Sequence, residues 1–186
     1  MTKEELIDRF RDINTDHEWY GHTIEHLRYE LFLLGFNMTD ARFSGFYSQG
    51  DGAQFTGYMQ DWEVFCEMVP NFVSDCPNES LFLQREGGDY TIDGSGSYNH
   101  EKATFTELEM TDSDWLEDNE GDDMETTMLR TCYSAIDYKH AKKWLDEYFR
   151  ERMRELYRDL ELEYEYLTSD DMVWESIVAN GLGSTT

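Results

Sequence analysis

Two aromatic-rich runs, Arg42–Ser48 and Ala53–Met59, flank a Gly50-Asp51-Gly52 connection. Glycine and aspartate tolerate the positive φ of a tight turn, and alternating aromatics suit a pleated, half-buried surface. The stretch Phe43–Tyr58, F-S-G-F-Y-S-Q-G-D-G-A-Q-F-T-G-Y, therefore predicts a β-hairpin, the clearest local signal in the chain. Gly45 and Gly57, set against the aromatics, read as packing positions. As a ligand loop, Ser48–Gly52 offers backbone N–H groups for an anion and Asp51 as a base or cation ligand. It lacks the lysine and the strand-to-helix context of a phosphate loop, so a structural turn is the simpler reading.

The pattern before the hairpin is helical. Lys3–Ile13 carries Leu6, Ile7, Phe10 and Ile13 at helical spacing, with Thr2 and Glu5 placed as a capping box. Asn14, Thr15 and Asp16 break that pattern. Asp16 is placed to cap a second helix with Trp19, Tyr20, Ile24, Leu27, Leu31 and Leu34 on one side, Gly21 inside it and Gly35 as its stop. After the hairpin, Asp61 caps a predicted helix through Trp62, Val64, Phe65 and Met68 that ends at Pro70. Asn71–Cys76 is a further short helical or irregular piece, and the Leu81–Leu83 run is too short to assign by periodicity. Asp89–Gly96 and Lys102–Met110 alternate as strands three and four about a turn at Ser97–His100. From about Met124 to Tyr166 the chain is again helical, with Leu129, Cys132, Ile136, Trp144, Leu145, Tyr148, Phe149, Met153, Leu156, Leu160 and Tyr164 toward the core. Thr168–Asp171 caps a last helix, with Met172, Val173, Trp174, Ile177 and Val178, that Gly181 ends.

These elements predict an α+β fold: an antiparallel sheet of about four strands, N-terminal helices and a long C-terminal helical arm. A single domain is expected over 1–186, with 1–36 helical, 41–110 a sheet region with an inserted helix, 111–123 an acidic loop and 124–180 the arm.

Forty-one acidic residues face fifteen basic ones, a formal charge of -26, and this imbalance decides which partners are excluded. Nucleic acid and anionic membranes both call for a positive surface, so neither is expected to bind directly, and the natural partner is basic. An apolar share of 39%, with 15% aromatic, is too rich for a disordered acidic tail, so the chain folds despite its self-repulsion. No run of about eighteen apolar residues occurs and no apolar leader core follows Met1, which predicts a cytoplasmic protein. Cys66, Cys76 and Cys132 are odd in number, lack metal-ligand spacing and read as reduced, buried thiols.

The acids are segregated. Glu107, Glu109, Asp112, Asp114, Glu117, Asp118, Glu120, Asp122, Asp123 and Glu125 follow one another without a Lys or Arg, and Trp115 lies among them as a packing anchor. Asp159, Glu161, Glu163, Glu165, Asp170 and Asp171 form a second array. Between the two, Lys139, Lys142, Lys143, Arg150, Arg152, Arg154 and Arg158 hold nearly half of the basic residues. Duplex DNA carries about one negative charge per 1.7 Å of axis, and a protein imitates it only by lining up carboxylates. Read as a nucleic-acid mimic, the chain binds its partner through Asp112, Asp114, Glu117, Asp118, Glu120, Asp122, Asp123, Asp159, Glu161, Glu163 and Glu165, with no catalytic residue, cofactor or metal. Plain surface solvation and adaptation to high salt are the competing explanations.

A different chemistry lies in His17-Glu18-x-x-x-His22-x-x-Glu25-His26. On one helix, His22 and His26 stand four apart and share a face with Glu18, as a metal site requires. The spacing is not the H-E-x-x-H of zinc hydrolases, and no second cluster completes the shell. Together with Asp51 these residues define the alternative of a small metal-dependent hydrolase.

The segments F-S-G-F-Y-S-Q-G-D-G-A at Phe43–Ala53 and L-Y-R-D-L-E-L-E-Y-E-Y-L-T-S-D at Leu156–Asp170 resemble a group of small acidic bacteriophage proteins, most of them uncharacterised. In overall charge, though in no alignable motif, the chain is similar to phage anti-restriction and anti-defence proteins that mimic DNA. The resemblance implies a phage setting. Joined to the charge, it predicts a non-enzymatic inhibitor in the host cytoplasm that occupies the DNA- or RNA-binding channel of a basic host protein, such as a restriction, nuclease or CRISPR component. A phage assembly protein that binds a basic virion partner is the remaining alternative, and a homodimer stays open.

Overall fold

The computed structural model describes residues 1–94 and 136–183. They group into two compact units, Arg28–Arg154 and Met1–Leu27 with Glu155–Thr186. The fold is α+β, as the sequence predicts.

In the first of these units the hairpin forms, with its first strand displaced. β1 (Phe36–Phe43) and β2 (Ala53–Met59) pair antiparallel from Phe36 opposite Met59 to Phe43 opposite Ala53, and β3 (Thr91–Ile92) pairs with the other edge of β2. The expected strand over Arg42–Ser48 is therefore corrected to an earlier start and an earlier end. A register shift between Met38 and Asp40 explains the misreading, because a bulge reverses the in-out alternation on which a strand is recognised. Residues 44–52 form a longer loop rather than a two-residue turn, closed by the backbone bond from Ser44 N to Gly52 O at 3.0 Å and by side chains. Gly52 N donates to Ser44 Oγ at 3.1 Å, and Ser48 N donates to Asp51 Oδ2 at 2.6 Å. The sheet has three strands among the described residues, not four, and the expected strand over Lys102–Met110 lies outside them.

α2 (Gly21–Leu33) stops where Gly35 adopts φ +76°, as its position predicts. Gln60 and Asp61 both donate their backbone N–H to the Gly35 carbonyl, at 2.8 and 2.9 Å, which ties the end of α2 to the start of the next helix. A Cβ at Gly35 would meet the Asp61 carbonyl oxygen and would also impose the left-handed strain. Gly35→Ala should destabilise the protein by about 2–3 kcal/mol in a urea titration, from strain plus backbone displacement. A loss near zero would contradict this geometry.

α3 (Trp62–Met68), α4 (Pro70–Asp75) and α5 (Pro77–Glu86) follow in quick succession. The Asp61 side chain caps the first, accepting from Val64 N at 3.0 Å, and a proline opens each of the other two, where its missing N–H costs nothing. The unassigned Leu81–Leu83 run is thus helical. α6 (Tyr138–Leu167) forms the later part of the helix predicted from about Met124 to Tyr166. Ile136 and Asp137 are not helical, and Asp137 Oδ1 caps α6, accepting from Lys139 N and His140 N, both at 3.1 Å. Residues 124–135 lie outside the described part. Phe149 on α6 is fully buried among rings, with centroids 4.5 Å from Phe36, 5.3 Å from Tyr148 and 5.6 Å from Tyr90. Cys66 and Cys76 are buried and reduced, and burial pushes their thiols up to about 11 and about 12, with Glu79 adding to the second. Cys132 lies outside the described residues.

The second unit packs α1 (Lys3–Arg9) on α7 (Asp170–Ala179) through Leu6, Ile7, Val173 and Ile177, with Phe10, Ile13 and Trp174 at the margin. The predicted capping box is present, Thr2 Oγ1 accepting from Glu5 N and Glu5 from Thr2 N. α1 ends at Arg9 rather than Ile13, and turns carry the chain to Tyr20. Those turns are used for fastening: Asn14 Nδ2 donates to Leu167 O at 2.9 Å and Ser176 Oγ to Asn14 Oδ1 at 2.6 Å, while Arg11 donates to Thr168 O at 3.1 Å and pairs with Asp170. The predicted second helix therefore starts at Gly21, not after Asp16, because residues 10–20 are committed to this turn structure.

Candidate functional site: a carboxylate array on the last turns of α6

Of the two predicted arrays, Asp112, Asp114, Glu117, Asp118, Glu120, Asp122 and Asp123 lie outside the described residues, as does Trp115. The other is carried by regular helix. Asp159, Glu161, Glu163 and Glu165 occupy the last turns of α6, and Asp170 and Asp171 open α7. At 3.6 residues per turn, alternate residues fall on opposite flanks of a helix. Leu156 and Leu160 are buried, so they define the inner face. Asp159 and Glu163 then form one row and Glu161 and Glu165 a second, on either side of an outer face that carries Leu162 and Tyr166. Asp159 and Glu165 are exposed, and Glu161 and Glu163 half-buried.

This placement works against the helix. Each row sets two like charges at i, i+4, and all the acids crowd the negative end of the helix dipole, where stability favours Lys or Arg. No basic residue occupies the last turn of α6. By contrast, Asp170 and Asp171 stand at an N-terminus, where a carboxylate is stabilising, and Asp170 is held by Arg11.

Many of the cations are engaged within the protein. Lys142 Nζ lies 2.7 Å from Asp146, Arg152 2.8 Å from Glu30, Arg154 2.9 Å from Glu151 and 3.0 Å from Glu147, and Arg42 2.9 Å from Asp40. Much of the basic middle of α6 is therefore paired where it stands.

His22 and His26 are exposed on α2, but Glu18 precedes the helix, which corrects the expectation that the three share one helical face. Among the described residues no three His, Cys, Asp or Glu side chains are grouped as metal ligands. In the hairpin loop, Asp51 is occupied by Ser48 N, Gly50 has φ +98° and the exposed Tyr47 has φ +74°. Gly57 is a packing position, as expected, since a Cβ there would meet Asn37 O and the Phe36 ring. Sequence reasoning missed a buried polar cluster: Tyr90 Oη donates to Asp146 Oδ1 at 3.0 Å while Lys142 holds Oδ2, and burial followed by Asp146 itself pushes the tyrosine's titration up. These residues are too distant in sequence for any local pattern to join them. Their hydrogen bonds satisfy one another and pin α6 beside β3.

The fold and this array define an acidic α+β protein with a carboxylate array at the end of a long helix. The family described as a domain of unknown function, DUF8835, matches residues 19–170, and the chain belongs to it. No curated protein and no solved structure matches the chain. Among the described residues, no helix is long and apolar enough to cross a membrane.

Proposed function

We propose that the chain is a phage-encoded, non-enzymatic inhibitor that acts in the host cytoplasm by mimicking nucleic acid. It occupies the DNA- or RNA-binding channel of a basic host defence protein, a restriction, nuclease or CRISPR component, and competes there with the natural ligand. The observation that carries the reading is the density of the α6 array. Asp159, Glu161, Glu163 and Glu165 span six residues of helical rise, about 9 Å, or one charge per roughly 2–3 Å, against about 1.7 Å in duplex DNA. Their position at the negative end of the helix costs stability, which a purely structural role does not call for. The run from Glu107 to Glu125 adds ten carboxylates to the same chain and enlarges the charge available for the mimicry.

Capture of partners from bacterial lysate on the immobilised chain, eluted with a salt gradient and identified by mass spectrometry, tests the reading. The expected result is one nucleic-acid-binding protein that leaves at moderate salt, because screening weakens an interface built on charge pairs. Recovery only of assorted basic proteins, or of a partner that salt does not release, would count against it.

A further inference from the structure

Leu162 is 63% exposed and Tyr166 57% exposed, one helical turn apart on the outer face of α6. A single exposed apolar side chain is ordinary. Here two large ones are aligned along a helix, one turn beyond the exposed Arg158, with carboxylates on both flanks, Asp159 and Glu163 on one and Glu161 and Glu165 on the other. Val178 is exposed as well, but it lies on α7 and is not needed for the argument.

We infer that this stripe is a docking surface for a basic amphipathic helix of the partner protein, whose apolar ridge lies along Leu162 and Tyr166 while its flanking Lys and Arg meet the two carboxylate rows. The inference rests on the reading of the α6 array as a partner surface, and it adds that part of the contact is apolar and specific. Charge selects the occupant. A second copy of this chain brings its own -26, and residues 95–135 of the same chain carry eleven carboxylates against Lys102 and Arg130. Both are repelled by the two acidic rows, whereas a basic helix is attracted to them. The stripe is narrow, with neighbours about 6 Å apart along it, which fits the ridge of one helix rather than a broad interface. Apolar contact is not weakened by salt, so this portion of the binding persists after the charge pairs are screened.

The test uses the full chain and two synthetic peptides of identical Leu and Lys composition, one patterned as an amphipathic helix and one scrambled so that the leucines share no face. Fluorescence anisotropy is read in about 0.5 M NaCl, where the Debye length is only a few ångströms. The wild-type chain should prefer the patterned peptide by roughly tenfold or more, and Leu162→Ser with Tyr166→Ser should reduce that preference to about twofold or less. Both positions are solvent-facing, so circular dichroism should confirm an unchanged fold. A control pair, Tyr29→Ser with Phe32→Ser, removes a separate exposed apolar face on α2 and should leave the preference intact. An unchanged preference in the Leu162/Tyr166 pair, or its loss in the Tyr29/Phe32 pair, would overturn the proposal. Failure of nucleic-acid mimicry reads differently: duplex DNA would not displace the captured partner, while the peptide preference would remain.

Discussion

Replacing Asp159, Glu161, Glu163 and Glu165 by their amides should weaken binding of the captured partner on the order of a hundredfold at low salt, while raising the melting temperature. The two effects have one cause. Four charge pairs at about 0.7 kcal/mol each, within the usual range for surface pairs, sum to a loss of that size. Within the free protein the same four carboxylates repel one another along each row and oppose the dipole of α6, so their neutralisation relieves the helix. Binding is followed by titration calorimetry and stability by differential scanning calorimetry. A side chain that served the fold would lose stability on replacement; a gain of stability with loss of binding assigns these residues to the partner. Unchanged binding, or a drop in melting temperature, would remove the array from the site.

Phe149→Ala should cost about 3–5 kcal/mol, a large share of the 5–15 kcal/mol that holds a domain of ordinary stability. Phe149 is completely buried among the rings of Phe36 on β1, Tyr90 just before β3 and Tyr148 on α6, with Phe55 and Phe65 at 6.3 and 6.2 Å. No small shift fills the space that the ring leaves, because its neighbours are themselves rigid aromatics. Phe149→Leu, which keeps most of the volume, should cost about half as much or less. Urea denaturation followed by circular dichroism measures both. A loss below about 1 kcal/mol for the alanine variant would mean that the aromatic cluster is not the core of its unit.

What the sequence disclosed follows the range of the interaction. The Thr2–Glu5 capping box, the Asp61 cap, the Gly35 stop and the start of β2 at Ala53 each depend on residues within a turn or two of one another, and each was readable. β1 was misplaced because the bulge after Met38 breaks its alternation. α2 was started too early because Asp16 has the composition of a cap, whereas the neighbouring turns hold Asn14 and Arg11 against the far end of the chain, at Leu167, Thr168 and Ser176. No local pattern reports contacts of that separation. The site divides in the same way. The carboxylate count was visible at once, and the division into two rows about Leu162 and Tyr166 follows from helical arithmetic once α6 is known to run unbroken to Leu167. The ion pairs that engage Arg152 with Glu30 and Lys142 with Asp146 required the fold, since they depend on which face of α6 meets its neighbours.

The central claim is competition for a nucleic-acid channel, and the most direct measurement is displacement of the labelled chain from its captured partner by short duplex DNA at fixed, moderate salt. Mimicry predicts that DNA and chain exclude each other, with the apparent Kd of the chain rising in proportion to the DNA concentration and falling affinity for both ligands as salt increases. A ternary complex in which the partner holds chain and duplex together, with the Kd of the chain unchanged, would contradict it.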